Sequence, residues 1–427
     1  MKKLFLLVFV LINIFYAKAE GEAAITITAD NVFSEQAMPL LIVTMDDNPL
    51  LRTSVAALCT HFNNTGRFVC THEMQTKQPH YQHEIRSCAE RGYALLVLLD
   101  YDDVQKKIEW RLYDTLQGIM IKGKRYSVNI TQNPEILGRA LAHHIWQVLT
   151  NTHSSFLSKI IYTLKKRHKK ALHTAFYITD YEGSNAQLWQ EHATICINPC
   201  WHPNTKNPLI GYSEFTATNV RLMAQDFNQH HFMMLDKEGT CVGVSWSADG
   251  KTMVYCHSGK LWNCSYDVVQ KKWVHTCVVQ EKEPCASPIL LANNDIVYCG
   301  EGKIKCYRQD KQITEFITEQ GYCVAPAHCP ATKKLVYSKR VGGYMQLFLY
   351  DDRKKRHRQL TYDKADKTDA TWSPCGTFLA FCYDKGINSR IGILNIITGK
   401  ISLITPEHEN CGYPAWSPAF DYYLQII

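Results

Sequence analysis

Tyr413-Pro-Ala-Trp-Ser-Pro418 closes a series of degenerate units that recur through the C-terminal two-thirds of the sequence. Trp201, Trp246, Trp372 and Trp416 each head a unit in which a turn precedes a β-rich run. They lie 45, 126 and 44 residues apart, a period of about 43 if the middle interval spans three units. Two heads without tryptophan fall where this arithmetic puts them, at Ser287-Pro-Ile-Leu290 and Ala325-Pro-Ala-His328. Each leads into an equivalent strand, Asp295-Ile-Val-Tyr298 or Lys334-Leu-Val-Tyr337, matching Lys251-Thr-Met-Val-Tyr255 and Thr377-Phe-Leu-Ala-Phe381. A four-stranded propeller blade takes about 40–50 residues, so six heads predict an all-β six-bladed propeller. The competing reading is a β-sandwich whose spacing is accidental.

The unit has a physical logic. Heads such as Trp246-Ser-Ala-Asp-Gly250 and Trp372-Ser-Pro-Cys-Gly376 end an inner strand in a tight turn whose glycine takes positive φ. Third strands read Met345 to Asp351 and Arg390 to Asn395; fourth strands read Arg358 to Thr361 and Ile401 to Thr405. Lys159-Ile-Ile-Tyr162 and Phe176-Tyr-Ile-Thr-Asp180 supply two strands before the first head, while too little chain follows Trp416 to finish a blade. Joining these remnants completes the sixth blade and removes the free sheet edge at the seam.

The N-terminus has another texture. Met1-Lys-Lys3, an apolar Leu4 to Tyr16 and Ala17-Lys-Ala19 make residues 1–19 an export signal, too short for a bilayer span of about 20 residues. Residues 20–155 are expected to form an α/β domain, and 156–427 the propeller. Leu40 to Thr44 and Ala94 to Leu99 are continuous apolar runs of the kind fully buried strands show. Leu51, Val55, Leu58 and Phe62 make one helical face. Ile108, Trp110 and Leu112 alternate with charged residues, and Tyr126, Val128 and Ile130 with polar ones, as in one-sided strands. Asn133-Pro134-Glu135 reads as a cap, an N1 proline and a first-turn acid opening a buried helix that includes Ile136, Leu137, Leu141, Ile145 and Leu149.

Charge and cysteine content exclude more than they assign. The formal net charge is +7, and losing Lys2, Lys3 and Lys18 with the signal leaves about +4. The runs Lys165-Lys-Arg-His-Lys-Lys170 and Arg353-Lys-Lys-Arg-His-Arg358 fall between blade strands, as exposed hairpin turns that can meet anionic headgroups or carboxylates. Export and the lack of a recognition motif argue against nucleic acid. The 17 cysteines are an odd number, so at least one cannot pair within a monomer. Cys256, Cys299 and Cys382 follow an aromatic at one point of the repeat, where cysteine packs as a small apolar residue. Cys196, Cys200 and His202 lack the four-ligand, tightly paired pattern of structural zinc. No G-x-S-x-G, H-E-x-x-H, Walker or G-x-G-x-x-G pattern occurs. The reading is therefore of a protein with no catalytic, cofactor or metal residues, the alternative being an exported propeller hydrolase or a ligand-binding propeller with its site in the central channel.

Three stretches carry a family resemblance. Lys159 to Tyr162 followed by Asp180-Tyr-Glu-Gly-Ser-Asn-Ala-Gln187, the closing Tyr413 to Pro418, and Ile25-Thr-Ile-Thr-Ala-Asp30 ahead of Met38-Pro-Leu-Leu-Ile42 resemble the TolB family of the Tol–Pal envelope system. The sequence departs from the family's W-S-P-D-G heads in most blades and runs nine residues past Pro418. The resemblance implies a monomeric periplasmic adaptor, peripheral to the membrane, that supports outer-membrane integrity and constriction at division. It implies that the tail, Ile25, Thr26, Ile27, Thr28, Ala29 and Asp30, is offered to a TolA-like inner-membrane protein, by strand addition where it is not tucked against its own domain. It also implies that one propeller face binds a Pal-like peptidoglycan-associated lipoprotein. The loops from each outer strand to the next head would form that face, with Glu238, Glu281, Glu283, Lys364, Glu407 and His408 on its polar rim.

Overall fold

The computed structural model describes residues 36–420 apart from 46, 76–81, 128–132, 169–170, 207, 228–229, 236–238 and 268–271. The stretch expected to be an export signal, the Ile25–Asp30 segment, Glu238, Val128 and Ile130 lie outside the described residues.

The N-terminal region is a five-stranded sheet with three helices: β1 (Met38–Thr44), α1 (Pro49–Asn64), β2 (Phe68–Met74), α2 (Gln82–Glu90), β3 (Leu95–Asp102), β4 (Lys107–Asp114), β5 (Ile119–Ser127) and α3 (Pro134–Thr150). Strand order is β2-β1-β3-β4-β5, with β1 parallel to β2 and β3 and the rest antiparallel. Both faces of β1 and β3 are covered, which is why they read as unbroken apolar runs. Leu40, Ile42, Val97 and Leu99 meet α1 and α3, while Leu41, Val43, Leu96 and Leu98 meet Ile85 and Cys88 of α2. Burying each such side chain is worth about 1.5–3 kcal/mol. Asn133 caps α3, its Oδ1 accepting from Glu135 N at 2.9 Å. The two large helices cross at Gly138, where a Cβ would sit 2.1 Å from Ser54 O, so a side chain there would force them apart. Ile136 departs from expectation: on the first turn of α3 it is exposed rather than buried.

Six four-stranded antiparallel sheets follow, one per blade. Blades one to five span residues 195–235, 241–279, 285–316, 323–359 and 366–403. The sixth joins Cys411–Trp416 to Lys159–His168, Ala171–Asp180 and Gln187–His192. Three strands therefore come from the N-terminal side of the seam, where the sequence indicated two. Gln187–His192 is mostly polar and has no buried residue, and so carries no apolar run to betray it. The fourth strand of blade four is Arg356–Gln359, two residues earlier than expected. The inner strands of successive blades touch in a closed ring.

Three of the tryptophan heads tie that ring together through their indole N–H groups. Trp201 Nε1 donates to Ala415 O of the preceding blade at 3.1 Å, and Trp372 Nε1 donates to Ala327 O at 3.0 Å. Trp416 Nε1 donates to Ser158 Oγ at 2.6 Å. Five residues before each head position stands Cys196, Cys241, Cys285, Cys323, Lys367 or Cys411, all buried. Two residues after each of these the chain turns left-handed, at Asn198, Gly243, Ser287, Ala325, Asp369 and Tyr413, coinciding with a bulge in every inner pair. Cys256, Cys299 and Cys382 do occupy equivalent second-strand positions. Their thiols donate to the carbonyls of Cys285, Cys323 and Cys411 of the next blade at 2.9, 3.4 and 3.8 Å. Burial pushes the Cys299 and Cys382 thiols up to about 11, so both stay protonated and able to donate at neutral pH.

Candidate functional site

The α/β domain occupies one end of the propeller, and this fixes which end is open. Asn395 Nδ2, in blade five, donates to Asn64 O and Thr65 O at 2.9 and 3.0 Å, satisfying carbonyls left over at the C-terminus of α1. Cys375 Sγ donates to Ser155 Oγ at 3.6 Å, and Cys375, Phe378 and Trp416 share one core with α1 and α3. The Asp180 to Gln187 turn docks here too. Tyr181 Oη donates to Glu182 Oε1 at 2.6 Å; with its single proton committed, it receives the His61 Nδ1–H at 2.5 Å. Arg139 lies 3.3 Å from Asp180, which is also paired with Lys159.

This junction has a pH signature. Burial pulls the Glu182 carboxyl up, but His61, Tyr181 and Arg139 outweigh it and hold the pKa at about 2. A depressed carboxylate contributes stability that is full above its unfolded pKa of about 4.3 and is lost as pH falls through the folded value. Chemical denaturation between pH 5 and 2 is expected to show this loss, and Glu182→Gln to flatten it. Equal slopes in the two proteins would remove Glu182 from the account.

The opposite end carries the links from each outer strand to the next inner strand, with the hairpins between second and third strands. Glu283, Lys364, Glu407 and His408 are exposed there. Glu281 lies on the same end but is already engaged, accepting from Tyr298 Oη at 2.5 Å and Lys305 Nζ at 2.6 Å. Of the expected loop Lys364 to Thr368, the part from Asp366 on is inner strand, and Lys367 is wholly buried. His408 and Glu409 line a cavity of about 580 Å³ with Lys165, Lys166, Leu164 and Leu172, so the basic hairpin of blade six and the link out of blade five share one hollow.

Sequence reasoning missed the apolar part of this face. Tyr362 is 75% exposed, Ile387 90% and Tyr322 50%, with Tyr344 and Val341 beside them on blade four. The Arg340 guanidinium stacks over the Tyr322 ring at 5.2 Å. Exposed tyrosine with arginine is the composition that dominates protein interfaces. These residues sit on loops or strand ends, where no periodicity marks them; the one available signal is that Tyr322 immediately precedes an inner strand and Tyr362 stands four residues before one. Among the described residues, no group of three or more His, Cys, Asp or Glu is arranged to hold a metal ion. Cys200 Sγ points to Trp201 O, and His202 Nε2 lies 3.1 Å from Gly250 O.

No family model matches the sequence. Tol-Pal system protein TolB of Dechloromonas aromatica is 30% identical over 102 residues, 24% of this chain and 23% of that protein. TolB of Syntrophotalea carbinolica is 27% identical over 97 residues, 23% of this chain and 21% of that protein. The matched segments thus span less than a quarter of these relatives. The crystal structure of TolB from Acinetobacter baumannii covers far more: 90% of this chain and 97% of its own, at a TM-score of 0.70 and 18% identity. The chain is therefore similar to TolB in fold, over both regions. A chain of the nidogen–laminin complex, by contrast, matches 61% of the present one at a TM-score of 0.50 and 8% identity. At 18% and 8% identity, both structural likenesses are of fold alone. The likeness to the A. baumannii protein extends over the α/β region and the propeller together.

Proposed function

We propose that the chain is a non-enzymatic periplasmic adaptor of a Tol–Pal-type envelope system that serves outer-membrane integrity and constriction during division. The observation that carries this reading is the correspondence with TolB across both regions, supported by the local sequence matches to TolB proteins. In this reading the propeller end remote from the α/β domain binds a Pal-like lipoprotein. Tyr322, Tyr362 and Ile387 supply the contact core; Glu283, Lys364, Glu407 and His408 supply the rim, with Glu238 from the adjoining link and Glu281 holding its own loop in shape. The tail Ile25–Asp30 goes to a TolA-like inner-membrane protein.

The test is calorimetry of residues 20–427 against the soluble domain of the Pal-like lipoprotein of the same organism, repeated with residues 20–34 deleted. Micromolar or tighter binding is expected, and a change in affinity on deletion would couple the tail to the propeller face. No binding by either form would leave an exported propeller with another ligand. Tyr362→Ala is expected to weaken binding by about 10-fold or more, the effect of losing a hot-spot aromatic, while moving stability by less than about 0.5 kcal/mol because the ring is solvent-exposed. Unchanged affinity would move the interface off this sector.

A further inference from the structure

We propose that Cys59 and Cys70 are a modification site, a dithiol that a small-molecule or protein disulfide oxidises to an intrachain bond stapling α1 to β2. Their sulfurs lie 3.1 Å apart, about 1 Å from bonding distance, on two elements that are already locked together. The Asn63 side chain holds both backbone groups of Cys70: Oδ1 accepts from its N at 2.7 Å, and Nδ2 donates to its O at 3.3 Å. Cys59 is partly exposed and Cys70 buried, so an oxidant reaches the first and not the second. The hydrogen bond from Cys70 lowers the Cys59 thiol pKa against burial, and the same contact together with burial raises that of Cys70. The asymmetry orders the chemistry.

The Cys59 thiolate attacks one sulfur of the oxidant RSSR, forming Cys59–S–SR and releasing RS⁻. Cys70 then loses its proton and attacks the Cys59 sulfur, forming the Cys59–Cys70 bond and expelling the second RS⁻. Two protein thiols are oxidised, the oxidant is reduced to two thiols, and the two protein protons end on the leaving thiolates. Cys256, Cys299 and Cys382, by contrast, are committed to carbonyls between blades. The closed loop contains Asn64 and Thr65, whose carbonyls Asn395 holds. The bond would therefore fasten the segment on which the α/β domain meets blade five.

Folded protein, residues 20–427, is incubated with oxidised glutathione, blocked with N-ethylmaleimide and digested with trypsin. Peptides 53–67 and 68–77 are expected joined, without maleimide on either cysteine, and Cys59→Ser is expected to abolish the joined species. The exposed Cys277 should react in both proteins, proving that the reagents had access. Recovery of both peptides carrying maleimide, or of Cys59 held as a glutathione mixed disulfide with Cys70 still a thiol, would overturn the proposal.

Discussion

Replacing Trp416 by alanine is expected to cost the fold about 3–5 kcal/mol, the range for emptying a buried tryptophan site. The residue serves three structures at once. It ends the single strand that the C-terminal side contributes to blade six, pairing with Ile160 across the seam. Its ring stacks on Phe378 of blade five at 6.4 Å, inside the core shared with α1 and α3. Its indole N–H is committed to Ser158, on the segment that leads out of α3, and its backbone N donates to Thr371 Oγ1 at 3.3 Å. Alanine leaves a cavity where the seam, blade five and the α/β domain meet, and leaves the Ser158 hydroxyl with only its bond to Ser155 O. Urea denaturation followed by far-ultraviolet circular dichroism reads the cost, since this probe does not rely on the deleted chromophore. A loss under about 1 kcal/mol would mean that the ring does not close through this strand.

Lys367→Met is expected to cost about 2–3 kcal/mol, within the range for stranding groups bonded to a buried charge. Lys367 stands where the other five inner strands carry cysteine, and no part of it is exposed. Its ammonium donates to Ala365 O and Asp363 O at 2.8 and 2.9 Å and meets the Asp363 carboxylate at 2.5 Å. The cost falls short of the full price for a buried pair because Asp363 is 45% exposed and Gln346 Nε2 still reaches both carbonyls. Burial pulls the Asp363 carboxyl up, and the bonds from Lys367 and Tyr383 more than reverse this, holding it below its ordinary value. Its stabilising share is therefore full above an unfolded pKa of about 3.9 and vanishes as pH falls through the folded value. The variant should show both a lower midpoint at neutral pH and a shallower decline below about pH 4. A variant as stable as the parent at pH 7 would show that the ammonium is not what holds this link in place.

The tryptophan heads made the propeller legible because each ends an inner strand, and Trp201 and Trp372 also bond to a neighbouring one. The ring of cysteines five residues earlier was equally repetitive, as Cys196, Cys241 and Cys411 before Trp201, Trp246 and Trp416 attest, yet it escaped notice. Blade three is short, Lys367 interrupts the series, and the heads at Leu290 and His328 hide the offset. The α/β strands were legible wherever burial on one or both faces writes itself into the apolar pattern. Gln187–His192 was not, because an outermost strand buries little. The candidate face was half legible: charged links could be found by counting from the heads, but the engagement of Glu281 depends on Tyr298 and Lys305, distant in sequence, and nothing in a lysine within a charged link announces its burial. The exposed tyrosines depend on which loops share an end of the propeller, and only the folded ring decides that.

The most direct test of the adaptor account is hydrogen–deuterium exchange of residues 20–427 with and without the soluble domain of the Pal-like lipoprotein. The account predicts slowed exchange in the links around residues 281–284, 318–323, 361–365 and 404–410, with the turns that face the α/β domain unchanged. Protection confined to the α/β domain, or none at saturating lipoprotein, would contradict it.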